Sequence, residues 1–147
     1  MPAASVEARV LVALYLAEIA VLFPGGFDPA VSVSADPEEL SPPHGVFLVV
    51  RGDDDNAIGC GGVKLLDPAT AEVKRMWLDP SARGQGAGRA LLEALEEAAR
   101  GLGATKACLD TNALLESALG LYRKAGWQEV AAYNNNAYAT HWFSKQL

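Results

Sequence analysis

Arg83-Gly84-Gln85-Gly86-Ala87-Gly88 is the stretch on which the reading of this chain turns. It follows a strand-like run, Thr70 to Leu78, and precedes Ala90, Leu91, Ala94, Leu95, Ala98 and Leu102, whose recurrence at threes and fours predicts an amphipathic helix. Three glycines between a strand and a helix let the backbone approach a ligand and turn free N–H groups outward. The helix N-terminus adds roughly half a positive elementary charge. The result is an anion cradle. No Gly-Lys-Ser/Thr follows, so it is not a Walker loop, and Arg89 stands where a dinucleotide fingerprint needs its last glycine. A Rossmann unit would also place the loop after an early strand, whereas this one lies mid-chain. Without further context a plain tight turn competes with the ligand reading.

Outward from the loop, the elements alternate. Ser5 to Phe23 is predicted as a helix, with apolar Val10, Leu14, Ala17 and Val21 and a stop at Pro24-Gly25-Gly26. A Pro-, Ser- and Asp-rich loop runs on to Gly45, with one helical turn near Pro37 to Leu40. Gly45 to Arg51 and Ala57 to Leu66 read as strands of a hairpin, closed by the acidic turn Asp53-Asp54-Asp55-Asn56. Asp67-Pro68-Ala69 turns the chain into Thr70 to Leu78, giving three antiparallel strands in succession. After the central helix, Lys106 to Thr111 is a short buried strand and Leu114 to Lys124 a helix closed by Gly126. Trp127 to Tyr133 and Ala139 to Lys145 supply two further strands. A helix that crosses between Thr70–Leu78 and Lys106–Thr111 makes that pair parallel, so a ligand is expected beyond their carboxyl ends.

Composition sets the outer bounds. The 147 residues, half of them hydrophobic and 20% charged, are expected to form one domain over residues 1–147. A net charge of -6 argues against a nucleic-acid surface, which needs clustered Lys and Arg. Cys60 and Cys108 lack zinc-ligand spacing and read as buried free thiols, and the acidic turn at 53–56 reads as solvated, so no metal is expected. The apolar run Val10 to Phe23 is too short for a membrane span and carries Glu18, and no signal-peptide pattern surrounds it. No membrane partner is expected, and the cytoplasm is the default compartment.

Three spaced segments carry a family resemblance. Arg83-x-x-Gly86-x-Gly88 resembles the Q/R-x-x-G-x-G/A pyrophosphate loop of the GNAT acetyltransferase superfamily. The likeness extends upstream through Glu72-Val73-Lys74-Arg75-Met76-Trp77-Leu78-Asp79-Pro80 and downstream through Leu119-Gly120-Leu121-Tyr122-Arg123-Lys124-Ala125-Gly126-Trp127. It covers about Val46 to Leu147. The resemblance implies an α/β fold: a mixed, mostly antiparallel twisted sheet whose central parallel strands splay apart, with flanking helices. It further implies acetyl-coenzyme A as cosubstrate. The backbone of Met76, Trp77 and Leu78 would pair with the pantetheine arm, and Arg83, Gly84, Gln85, Gly86, Ala87, Gly88 and Arg89 would cradle the pyrophosphate. Asn112 would hydrogen-bond the cofactor arm, with a turn-capping role as the alternative.

Acetyl transfer to nitrogen needs a neutral amine, a stabilised carbonyl oxygen and a proton for the leaving thiolate. The resemblance implies Tyr122 as proton donor; packing on its helix is the competing reading. Glu72, eleven residues before Arg83, stands where the histone-acetyltransferase branch carries its base, with an ion pair to Lys74 or Arg75 as the alternative. By strand periodicity Glu72 shares a face with Lys74, Met76 and Leu78. His44 and His141 are the two histidines, His141 alternating with Phe143 either near the acceptor or as an ordinary sheet residue, and Tyr133-Asn134-Asn135-Asn136-Ala137-Tyr138 offers groups suited to an acceptor pocket or to a plain turn.

The expected activity is acetyl transfer to a primary amine of a small molecule, by direct attack in a ternary complex. Two alternatives stay open: a protein acetyltransferase acting on lysine or an N-terminal amine, and a non-catalytic acetyl-coenzyme A-binding module. Homodimerisation is compatible with the resemblance, and no segment of the sequence fixes its interface.

Overall fold

The computed structural model describes residues 5–22, 39–52, 54–83, 86–112 and 116–147. Helix α1 (Val6–Leu22) precedes the hairpin β1 (Gly45–Arg51) and β2 (Ala57–Asp67), and β3 (Thr70–Leu78) completes the antiparallel run. A 3-10 turn (Pro80–Ala82) leads to α2 (Ala87–Gly101), followed by β4 (Lys106–Thr111), α3 (Glu116–Lys124), β5 (Gln128–Val130) and β6 (His141–Gln146). One six-stranded sheet in the order β1-β2-β3-β4-β6-β5 holds them all. The pair β3/β4 is parallel and the other pairs are antiparallel, as the α2 crossover requires.

Each face of the sheet buries a different population. Under α2 and α3 lie Val63, Ala71, Val73, Leu109 and Phe143, against Leu91, Leu92, Leu95, Ala99 and Leu119. This stripe on α2 is rotated from the expected one: Ala90 and Ala94 are exposed, while Leu92 and Ala99 are buried. Alanine satisfies an apolar count anywhere on a helix, but leucine gains most from burial and sets the rotation. Both helices close with a glycine in the left-handed region, Gly103 after α2 and Gly126 after α3. In the second of these Schellman turns Trp127 N–H bonds the Tyr122 carbonyl and Gly126 N–H that of Arg123, fixing the backbone at Tyr122.

On the opposite face α1 packs Leu11, Val12 and Tyr15 onto Phe47, Val49, Cys60 and Trp77. Of the four apolar positions that mark this helix in the sequence, Val10 is 53% and Leu14 46% exposed and Ala17 is exposed, while the Val21 side chain lies outside the described residues. Apolar residues occur on every side of α1, so spacing alone selects no buried face. Two predicted strands are shorter than expected. β5 spans Gln128–Val130 rather than running to Tyr133, and β6 begins at His141, because the intervening residues form turns instead of a ladder. The sequence-predicted loop at 24–38, residue Asp53, Gly84, Gln85 and the predicted start of the α3 helix at Leu114 lie outside the described residues.

Candidate active site

The central strands part after three residues. β3 and β4 are paired at Thr70/Lys106, Ala71/Ala107 and Glu72/Cys108 and no further, so a wedge opens toward their carboxyl ends. On its other edge β3 carries a bulge. Arg75 is left-handed, at φ 56°, and the register with β2 shifts between Cys60/Trp77 and Gly62/Lys74. The Cys60 thiol donates to the Arg75 carbonyl at 3.3 Å. The extra residue reverses the inside-outside alternation. Glu72 and Lys74 face the α1 side, whereas Met76 and Leu78 pack on the α2 side and Trp77 on the α1 side. The expectation that Glu72 and Lys74 share a face with Met76 and Leu78 is therefore corrected: period two holds only through an unbroken strand.

Beyond β3, the Asp79 carboxylate accepts from Ser81 N–H at 2.9 Å and Ser81 Oγ–H at 2.6 Å, closing the 3-10 turn. Those bonds hold the Asp79 carboxyl below its ordinary range. Gly86, at φ 81°, is the N-cap of α2; among the described residues no side-chain cap bond is present there, and the first turn carries no acidic residue. A methyl group on Gly86 would meet nothing within 4 Å, so its glycine serves backbone conformation rather than space. An uncapped helix N-terminus at the mouth of the wedge suits a phosphate-bearing ligand. Arg83 Nε donates to the Leu78 carbonyl at 3.0 Å, and its Nη2 reaches both Glu18 carboxylate oxygens at 2.7 and 2.8 Å. The Arg89 guanidinium turns the other way, to Glu93 at 2.9 Å and the Lys124 carbonyl at 3.4 Å.

Tyr122 is buried on α3, its ring against Trp127 and Phe143 with centroids 6.2 and 5.7 Å away. Its hydroxyl lies 3.9 Å from Met76 Sδ, on the wedge side of β3. Burial raises its pKa well above the ordinary phenol value, and the neighbouring Tyr15 and Asp110 add to the shift. The group stays protonated at neutral pH, the state a proton donor needs. Tyr15, from α1, is likewise pushed up to about 12 by burial.

The α1-side floor of the wedge is polar. Glu72 is 1% exposed; Lys74 Nζ stands 3.5 Å and Lys64 Nζ 4.0 Å from its Oε1, and Tyr133 Oη donates to its Oε2 at 2.5 Å. Lys74 also faces Asp110 at 3.8 Å, and Lys64 donates to Glu39 at 2.8 Å. Asp110 in turn accepts from the amides of Asn134 at 2.7 Å and Asn136 at 3.3 Å, and Trp142 Nε1 donates to Asn134 Oδ1 at 3.0 Å. Asn112 donates to the Tyr138 carbonyl at 2.6 Å. The loop 133–138 is thus tied side chain by side chain to the end of β4. His141 points elsewhere, pairing with Thr140 Oγ1 at 2.8 Å and standing 3.9 Å from Glu129. His44 is exposed in the turn before β1.

The structure thus brings Tyr122, Met76, Glu72 and the loop 133–138 around one wedge, with Arg83 and Gly86 at its mouth. It adds Tyr15, Glu18, Lys64, Lys74 and Asp110, none of which stood out in the sequence as site residues. Asp110 sits at the end of a short strand, where α/β sheets present ligand groups, and that position was the available signal. Among the described residues no group of three or more His, Cys, Asp or Glu side chains is arranged to hold a metal ion. Nor is any described helix long and apolar enough to cross a membrane.

Comparison with known proteins gives a consistent answer. An IAA acetyltransferase from Azospirillum brasilense is 37% identical over 95 residues, 64% of this chain and 61% of that protein. The matched segments span about three fifths of the length of the first curated relatives. A Klebsiella pneumoniae crystal structure assigned as an acyl-CoA N-acyltransferase superposes with a TM-score of 0.79 at 26% identity, over 100% of this chain and 94% of that one. The paiA N-acetyltransferase of Thermoplasma acidophilum, solved with coenzyme A, shares the fold, with a TM-score of 0.61 at 20% identity over 71% of this chain and 62% of that one. The model of the Acetyltransferase (GNAT) family matches residues 14–127, and the chain belongs to that family.

Proposed function

We propose that this chain transfers an acetyl group from acetyl-coenzyme A to a primary amine of a small molecule, by direct attack in a ternary complex. The wedge carries the reading: β3 and β4 separate after Glu72/Cys108, an uncapped helix N-terminus stands at its mouth and a protonated Tyr122 lies within it. When bound, acetyl-coenzyme A supplies the thioester carbonyl as electrophile. The β3 edge at Met76, Trp77 and Leu78, unpaired with β4, is the segment that would hold the pantetheine arm. The Arg83 to Arg89 loop, with Gly84 and Gln85, would hold the pyrophosphate, and Arg83 would exchange its Glu18 contact for phosphate. Asn112 acts mainly on the 133–138 loop through Tyr138 in this reading, and on the cofactor arm only at its edge.

Tyr122 donates a proton to the departing thiolate. Its raised pKa favours the protonated phenol, and its position beside Met76 sets it along the arm of the wedge. Glu72 serves as the proton sink for the amine, with the Lys64 and Lys74 ammonium groups 4.0 and 3.5 Å from its Oε1. A small acceptor suits the α1 face, where the 133–138 loop is bound down over the wedge by Asp110 and Glu72 rather than left as an open groove.

The test is thiol release from acetyl-coenzyme A across a panel of amino acids, polyamines, aromatic amines and lysine-containing peptides. Turnover with free amines supports the reading. Turnover with peptides alone would replace it with the protein-acetyltransferase alternative, and cofactor binding without turnover would replace it with a binding module.

A further inference from the structure

Glu72 cannot meet an amine directly. Its carboxylate is 1% exposed, and the groups facing it are Lys64 with its partner Glu39, Lys74, Cys108, Asp110 and Tyr133. Of these, the lysines and Cys108 are buried, the Asp110 side chain is only 10% exposed, and the exposed Glu39 touches Lys64 rather than Glu72. Tyr133 is different: 37% of it is exposed, yet its hydroxyl donates to Glu72 Oε2 at 2.5 Å. A phenol that donates its O–H inward keeps oxygen lone pairs as acceptors, and a carboxylate behind it strengthens them. The Cys108 thiol, on the β4 position paired with Glu72, reaches the same hydroxyl from the strand side. The hydroxyl sits over the last β3/β4 pair, where the wedge begins.

We infer that Tyr133 is a catalytic residue of the amine site, its hydroxyl touching the incoming amine and relaying that amine's proton to Glu72. This rests on the N-acetyltransferase reading and adds the contact that reading lacks. In the step, one N–H bond of the ammonium breaks as an O–H bond forms at Tyr133 Oη. The phenol's original O–H breaks as another forms at Glu72 Oε2. Nitrogen keeps the electron pair and becomes the nucleophile; the phenol is regenerated, and Glu72 holds the proton as a neutral acid. After product leaves, the proton returns to solvent by the reverse path. The acceptor class follows: strongly basic alkylamines, cationic at neutral pH, gain from the relay, whereas amines already neutral do not.

The experiment compares full-chain wild type with Tyr133→Phe, using alkylamines and alkoxyamines of matching carbon skeleton and measuring thiol release. Removing the hydroxyl is expected to lower kcat/KM for the alkylamine by about a hundredfold at pH 7, the scale of general-base catalysis. The alkoxyamine, neutral at that pH, is expected to lose less than about threefold, and the KM for acetyl-coenzyme A to stay unchanged. The alkylamine deficit should narrow as the pH rises toward the amine's own pKa. Glu72→Gln should show the same dependence on amine basicity, with the double variant no worse than either single one; if it fails to fold, Tyr133→Phe decides alone. Equal losses on both amines at every pH, or no loss on either, would overturn the relay while leaving acetyl transfer intact. No turnover of any amine by wild type would instead overturn the N-acetyltransferase reading, and the relay with it.

Discussion

Beneath α2 and α3 the sheet buries Val63, Val73, Leu109 and Phe143, while on the opposite face the same strands bury Lys64, Glu72 and Lys74 and hold Asp110. The apolar face gains free energy from area removed from water, about 25 cal/mol per Å². On the charged face desolvation offsets much of what the ion pairs return. A fold does not need that charged cluster for its stability, since Phe47, Cys60 and Trp77 already bury apolar surface under α1 on the same face. Its presence beside the wedge marks where the molecule spends stability on chemistry.

Perturbing each face in turn separates the property that it carries. Leu92→Ala is expected to cost about 2–5 kcal/mol in urea unfolding, since Leu92 is fully buried on the apolar face. The triple variant Glu72→Gln, Lys74→Met and Asp110→Asn replaces Lys74 and its carboxylate partners by neutral groups of similar size, a change that is often neutral for stability. It should unfold within about 1 kcal/mol of wild type yet lose most amine acetylation. If it unfolds as readily as Leu92→Ala, the polar face is scaffold and the comparison fails.

Tyr122 belongs to the apolar cluster but sends its hydroxyl into the wedge, so it tests the boundary between the faces. Tyr122→Phe keeps the ring and should slow thiol release by about a hundredfold while leaving coenzyme A affinity unchanged. Equal turnover would return Tyr122 to a packing role. A smaller effect is expected at the mouth: Glu18→Gln removes the anion that engages Arg83. A half-exposed pair is worth about 0.2–1 kcal/mol, so acetyl-coenzyme A should bind up to about fivefold tighter by calorimetry at low salt. Added salt should erase the difference.

The smallest expected change lies at alkaline pH. Burial pushes the Cys60 thiol from 9.0 up to about 12 and the Cys108 thiol from 9.0 up to about 11. The folded state therefore keeps protons that the unfolded chain releases above about pH 9, so the stability these thiols contribute is whole below that pH and falls as the pH rises toward 11 and 12. Thermal midpoints should decline over that window, and Cys60→Ala with Cys108→Ala should flatten the decline. An unchanged slope would assign it to other groups.

How much of this was legible in the sequence differs between the faces. β1, β3 and β4 were readable to the residue because turn signals bound each of them, and α2 was readable in place, though not in its buried face, because its leucines repeat. The parallel crossover followed from element order. The face of α1 was not readable, since its apolar residues surround the helix, and neither was the end of β5, where polar side chains replace the ladder. In the candidate site, Tyr122 and Glu72 came from resemblance. Tyr133, Asp110 and Lys64 act through partners 24 to 61 residues away, and no local pattern encodes such pairings.

The left-handed turn at Arg75 has a consequence for any change in chain length. It acts as a phase shifter: Glu72 on one side of the sheet and Met76 on the other are both correctly aimed because one residue between them is consumed without advancing the ladder. Removing Arg75 alone would take out the bulge and leave Met76, Trp77 and Leu78 on their present faces, whereas straightening the strand with every residue kept would turn the remainder of β3 over. Trp77 would then point into the α2 core and Met76 toward α1, away from Tyr122. The eleven residues from Glu72 to Arg83 therefore include one that sets which face the strand presents and adds no length to the ladder.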